Sequence, residues 1–128
     1  MSPVRVLIVD DEDIVCANVA AYLEDEGFDV DAAESGEKAL DIIATKKFDV
    51  GVIDMRLPGI DGNTLILQFY KIQPEMMFLI HTGSTNYNLP RALIDIGITE
   101  KQVFQKPLPD MGILADAINT LMKNKKDR

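Results

Sequence analysis

Five polar residues stand where apolar runs end, and their types suit them to one kind of chemistry. Val6-Leu7-Ile8-Val9 runs into Asp10-Asp11, Val50-Gly51-Val52-Ile53 into Asp54, Met77-Phe78-Leu79-Ile80-His81 into Thr82, and Val103-Phe104-Gln105 into Lys106-Pro107. If the runs are parallel strands of one sheet, their carboxyl ends share an edge, where open α/β sheets bind their ligands. Two carboxylates about 4 Å apart repel by roughly 4 kcal/mol at an effective dielectric near 20, so Asp10, Asp11 and Asp54 together must take up protons or a cation. With only oxygen donors and no His or Cys set at ligand spacing, the cation expected is Mg²⁺, with Mn²⁺ as the alternative. Lys106 and Thr82 suit the charge that spreads over phosphoryl oxygens during transfer. No Ser, Cys or His with a paired base is evident, which leaves a carboxylate as the natural phosphoryl acceptor.

Each residue alone has a plainer reading. Asp11, Glu12 or Asp13 would serve as a cap or a dipole partner for the helix that follows. Asp54 before Pro58-Gly59, and Thr82 before Gly83, would be ordinary turn residues. Lys106 would be a surface lysine. Their order and spacing together favour the shared pocket.

The same residues carry a resemblance. Val9-Asp10-Asp11-Glu12, the stretch Asp54-Met55-Arg56-Leu57-Pro58-Gly59-Ile60-Asp61-Gly62, Thr82-Gly83 and Lys106-Pro107 make the chain similar, over nearly its whole length, to the receiver domain of bacterial two-component response regulators. The resemblance implies a doubly wound (βα)5 flavodoxin-like fold with a five-stranded parallel sheet in the order 2-1-3-4-5. It implies Asp54 as phosphoacceptor, Asp11 as a direct Mg²⁺ ligand, Asp10 holding the ion through water, and the backbone carbonyl of Arg56 as a further ligand. Thr82 and Lys106 would grip the phosphoryl group, and the bond before Pro107 would be cis. The partners implied are a sensor histidine kinase or histidine phosphotransfer protein and a downstream protein target, with a homodimer through the fourth and fifth helices also allowed.

Three positions depart from the family pattern. Receivers commonly carry Tyr or Phe three residues before the lysine, and this chain has Val103 there, with Phe104 one place later. The Thr82 to Lys106 stretch is slightly long and holds a polar loop from Gly83 to Asn88 that includes Tyr87, so Tyr87 becomes the candidate for the switch role. His81 stands where an apolar residue is usual and reads first as a partly buried strand residue, second as a residue tuning phosphoryl lifetime. Arg56 and Ser84 hold positions that, by the resemblance, influence water access to a phosphoaspartate. Two other functions stay open: an interaction-only receiver, which Val103 favours, and an aspartate-nucleophile phosphatase of the haloacid dehalogenase type. The second needs another aspartate where Arg56 stands.

The elements that must position these residues are legible as alternating β and α units in one domain, residues 1–128, with an ordered core over 4–123 and a tail over 124–128. Strands are expected near 4–9, 28–32, 48–53, 76–81 and 103–105, and helices near 13–26, 36–45, 62–71, 89–96 and 110–123. Gly27 would stop the first helix, Ser35 cap the second, Pro74 follow the third, and Asn88 cap the fourth with Pro90 in its first turn. Ile113, Leu114, Ala117, Ile118 and Leu121 would form the buried stripe of the last. The 128 residues carry a formal charge of −8, which argues against nucleic acid or an anionic membrane as partner. The single cysteine, Cys16, excludes an internal disulfide, and no run approaches membrane-spanning length; a cytoplasmic protein is expected.

Overall fold

The computed structural model describes residues 3–126. Its elements alternate as β1 Arg5–Val9, α1 Asp13–Asp25, β2 Asp29–Ala33, α2 Gly36–Ile43, β3 Val50–Ile53, α3 Gly62–Ile72, β4 Met77–Thr82, α4 Arg91–Asp95, a 3-10 turn Glu100–Gln102, β5 Val103–Gln105 and α5 Gly112–Lys126. The five strands form one parallel sheet in the order β2-β1-β3-β4-β5, as expected.

Period-two alternation sorts the strand side chains into two cores. Leu7, Val9, Ile53, Phe78 and Ile80 face α2, α3 and α4, joined by half-buried Val103. Val6, Ile8, Val50, Val52 and Leu79 face α1 and α5, joined by Phe104. Strands covered on both faces explain the near-continuous apolar runs. The sheet's outer strand β2 stays polar, with Asp29 paired to Arg5 at 3.3 Å and Asp31 to Lys46 at 2.6 Å.

Helix ends follow local chemistry. Gly27 takes φ +94° after α1, a conformation that costs a side-chain-bearing residue more. Ser35 Oγ accepts the Lys38 amide at 3.2 Å, and Asp61 Oδ1 caps α3 through the Thr64 amide at 2.9 Å.

Three expectations need correction. Asn88 does not cap α4: the cap position is Pro90, whose carbonyl accepts from Leu93 and Ile94 at 3.0 and 3.1 Å, and the helix is five residues long. A proline's fixed φ suits this boundary, and the helix starts only after it. The last helix begins at Gly112, where Asp110 Oδ1 holds the amide at 2.8 Å, and it continues to Lys126 through most of the expected tail. Its buried face runs through Leu114, Ala115, Ile118 and Leu121, with Ile113 only half-buried. Among the described residues, no helix is long and apolar enough to cross a membrane.

Candidate functional site

Sheet pairing continues one residue past the strands, and this places the polar residues. The Asp10 amide donates to Ala33 O at 3.1 Å, the Asp54 amide to Val9 O at 2.9 Å, and the Lys106 amide to Thr82 O at 2.7 Å. Each residue therefore leaves the ladder at the same carboxyl edge. Asp10, Asp54 and Thr82 are nearly inaccessible, at 3, 4 and 1 % exposure, whereas Asp11 is exposed.

Carboxylate oxygens of Asp10, Asp11 and Asp54 lie within 4.8 Å of one another. Lys106 Nζ is 2.8 Å from Asp10 Oδ2, 3.4 Å from Asp54 Oδ2 and 3.5 Å from Glu12 Oε2. The lysine is thus an interior counter-charge. Burial works against its ammonium, but the hydrogen bond and charge of Asp10, with Asp54 and Glu12, hold its pKa above the ordinary value. Burial raises the Asp54 pKa, opposed by the Arg56 amide and by Lys106 and reinforced by the Asp10 charge. Lys106 alone does not offset the burial of Asp54, and the oxygen-only set with one exposed member fits a hard divalent cation.

The helix-cap reading of the acidic run fails here. Glu12 occupies the cap position of α1 without a side-chain cap bond, and Asp10 Oδ1 instead accepts the Glu12 amide at 2.9 Å. Asp11 therefore remains free to serve the cluster.

The turn after β3 is built tightly around the phosphoacceptor candidate. Arg56 adjoins it through its amide, 3.2 Å from Asp54 Oδ1. A Cβ on Gly62 would sit 2.4 Å from Asp54 O and 2.8 Å from Met55 Cα, so only glycine lets α3 begin this close. Gly62 was quoted in the motif, but its spacing role depends on a packing contact that the chain order does not display.

Beyond β4, Thr82 Oγ1 accepts the Ser84 amide at 3.1 Å, which leaves its own hydrogen free to donate. Gly83 is exposed and surrounded by open space where a Cβ would stand. Tyr87 packs against the α2–α3–α4 core, and its hydroxyl donates to Asn63 Oδ1 at 2.7 Å. Burial, then Glu100 and Asp61, push that phenol up to about 12. Asn63 was missed by sequence reasoning, because a hydrogen bond across 24 residues has no local signature. Val103 and Phe104 lie on opposite sheet faces, as alternation required. The Lys106–Pro107 bond is cis.

Comparison with known proteins bears on the family and the fold. The family model described as "Response regulator receiver domain" matches residues 6–119. The response regulator MprA of Mycolicibacterium vanbaalenii is 32% identical over 95 residues, covering 74% of this chain and 41% of that protein. The transcriptional regulatory protein GlrR of Escherichia coli is 31% identical over 124 residues, covering 94% of this chain and 27% of that protein. The chain thus spans less than half the length of these curated relatives. Among solved structures, a CheY-like receiver domain protein of Methanospirillum hungatei superposes with a TM-score of 0.84 at 26% identity, over 99% of this chain and 100% of that one. A Clostridium thermocellum receiver domain gives 0.80 at 29% identity, over 96% and 97%.

Proposed function

The chain belongs to the response regulator receiver domain family of two-component signalling, and from that premise we propose that Asp54 is its phosphoacceptor, served by Thr82, Lys106 and a divalent ion. The observation that carries this reading is Lys106 Nζ between the buried carboxylates of Asp10 and Asp54, at 2.8 and 3.4 Å. An Asp54 carboxylate oxygen attacks the donor's phosphorus. The bond from phosphorus to the donor breaks, its electron pair leaving with the imidazole of a phosphohistidine or with acetate. Asp11, Asp54 and the Arg56 carbonyl would hold Mg²⁺, with Asp10 acting through water, and the ion would supply charge neutralisation of the crowded oxygens. Lys106 and the free hydroxyl hydrogen of Thr82 meet the charge on the transferred group. Hydrolysis reverses the link slowly: a water oxygen attacks phosphorus, the electron pair returns to the Asp54 carboxylate, and the water proton passes to the phosphate product.

The partner that donates phosphate is a histidine kinase or histidine phosphotransfer protein. Output runs through the segment after Thr82. When Thr82 turns to the phosphoryl group, the Ser84 amide bond changes with it, and the Tyr87–Asn63 link passes the change to α3. The stiff, β-branched Val103 replaces the usual ring on β5 and favours this route over an aromatic swing there.

Acetyl phosphate with Mg²⁺ tests the assignment by intact mass. The protein gains one phosphoryl group that is lost over minutes, and Asp54→Asn gains none. Labelling that persists in Asp54→Asn and maps elsewhere overturns it. Sustained turnover of external phosphate esters would favour the phosphatase reading, which the side chain of Arg56 opposes.

A further inference from the structure

One buried titratable group has no part in the chemistry above. His81 lies in β4 directly before Thr82, is 3 % exposed, and carries at Nε2 a buried nitrogen without a hydrogen-bond partner among the described residues. Strand alternation turns it from the Ile80 face toward α1 and α5. There its residue lines an open cleft of about 370 Å³ with Glu12 before α1, Val15 and Asn18 of α1, and Lys106, Leu108 and Met111 of the β5–α5 region. One end of this cleft is therefore the lysine that touches Asp54.

Burial, and secondarily Lys106, lower the His81 pKa to about 4 against an opposing pull from Asp10. The ring is neutral near pH 7 and presents one N–H and one lone pair. Buried polar groups are met by protein or by ordered water, and a water needs only about 30 Å³ of liquid volume with polar neighbours. Asn18, His81 and Lys106 supply those neighbours beside the Glu12 carboxylate, while Val15, Leu108 and Met111 form apolar walls of a cleft that opens to solvent.

We propose that His81 anchors a water in this cleft that also contacts the Lys106 ammonium, making His81 a positioning residue for phosphoryl transfer at Asp54. The proposal rests on Asp54 being the phosphoacceptor. An ammonium has three N–H donors, and a water fixed on its cleft side limits how it rotates as phosphoryl oxygens arrive between it and Asp54. Phosphorylation and hydrolysis both develop charge on those oxygens, so both slow when the ammonium loses its support.

The test compares His81→Leu, which fills the space without a polar atom, with His81→Gln, which keeps a donor and an acceptor. Acetyl phosphate labelling is expected to slow by roughly three- to tenfold in His81→Leu, the scale of one lost water-mediated contact, and the phosphoryl lifetime to lengthen by a similar factor. His81→Gln is expected to restore both rates to within about twofold of the parent protein. Unchanged rates in His81→Leu, or a His81→Gln as slow as His81→Leu, overturns the proposal. Water-to-ring magnetisation transfer at His81 in the unphosphorylated protein checks the anchor separately: a long-lived water gives a cross-peak, and its absence overturns the proposal. Failure of the parent protein to label at Asp54 refutes the phosphoacceptor reading instead, and the ring measurement still decides whether the water is there.

Discussion

Asp54 and His81 are both buried beside Lys106, and each shifts toward its neutral form for the same first reason, loss of water. For Asp54 the raised pKa means that the unfolded chain ionises more readily, so at neutral pH its charge opposes folding. Asp54→Asn should therefore melt higher than the parent protein without Mg²⁺; an equal or lower melting temperature would contradict the burial argument. For His81 the folded pKa of about 4 lies below the ordinary 6.5, so the unfolded chain binds the proton first as pH falls. Its contribution is fully present above about pH 7 and declines below the unfolded pKa, amounting to a loss of about 2 kcal/mol by about pH 5. Urea titrations of the parent protein and His81→Gln should show that difference in slope with pH. Parallel curves would mean that the imidazole is not held neutral.

At the scale of elements, the site depends on how closely α3 and the β4–α4 segment approach the sheet edge. Gly62→Ala sets a methyl 2.4 Å from Asp54 O, an overlap with backbone that no rotamer relieves. A destabilisation of about 3 kcal/mol is expected by denaturant melting, together with weaker Mg²⁺ binding; a small change in both would show that the turn adjusts freely. The five-residue α4 is too short to hold itself by backbone bonds, so its position is set by packing of Leu93 and by the loop before it. With beryllofluoride and Mg²⁺ as phosphoryl mimic, amide resonances should move across residues 82–94. Tyr87→Phe keeps the ring and removes the Asn63 bond, and should shrink that spread more than Val103→Ala does. Shifts confined to Asp10, Asp11, Asp54 and Lys106 would point to a domain that accepts phosphate without transmitting it.

For the whole molecule, metal binding and folding are linked through the same carboxylates. Mg²⁺ at ten times its dissociation constant should stabilise the fold by about 1.4 kcal/mol, or roughly 4–7 °C in Tm for a domain of this size. Asp11→Asn should remove most of that gain, because the exposed Asp11 completes the oxygen set while taking no part in the ion pairs of Lys106. A melting curve indifferent to Mg²⁺ would leave the cluster without a cation role. The formal charge of −8 makes the same ion more welcome at low ionic strength, where repulsion among carboxylates is least screened.

Local chemistry determined much of this protein before any coordinate. Apolar runs ending in Asp10, Asp54, Thr82 and Lys106 marked four of the five strands, because strand period and buried faces are properties of short segments, whereas the parallel order with one shared edge came from the family resemblance. Ser35 capped α2 and Gly27 followed α1 for equally local reasons. Tertiary packing decided the rest. The expected cap at Asn88 gave way to Pro90, since α4 is held by its neighbours more than by its own ends. Asn63 met Tyr87, Gly62 became the contact point of α3 with Asp54, and His81 turned from a partly buried strand residue into a buried one with an unmet nitrogen. Each of these depends on which atoms become neighbours when layers close on the sheet, and distance along the chain carries no record of that.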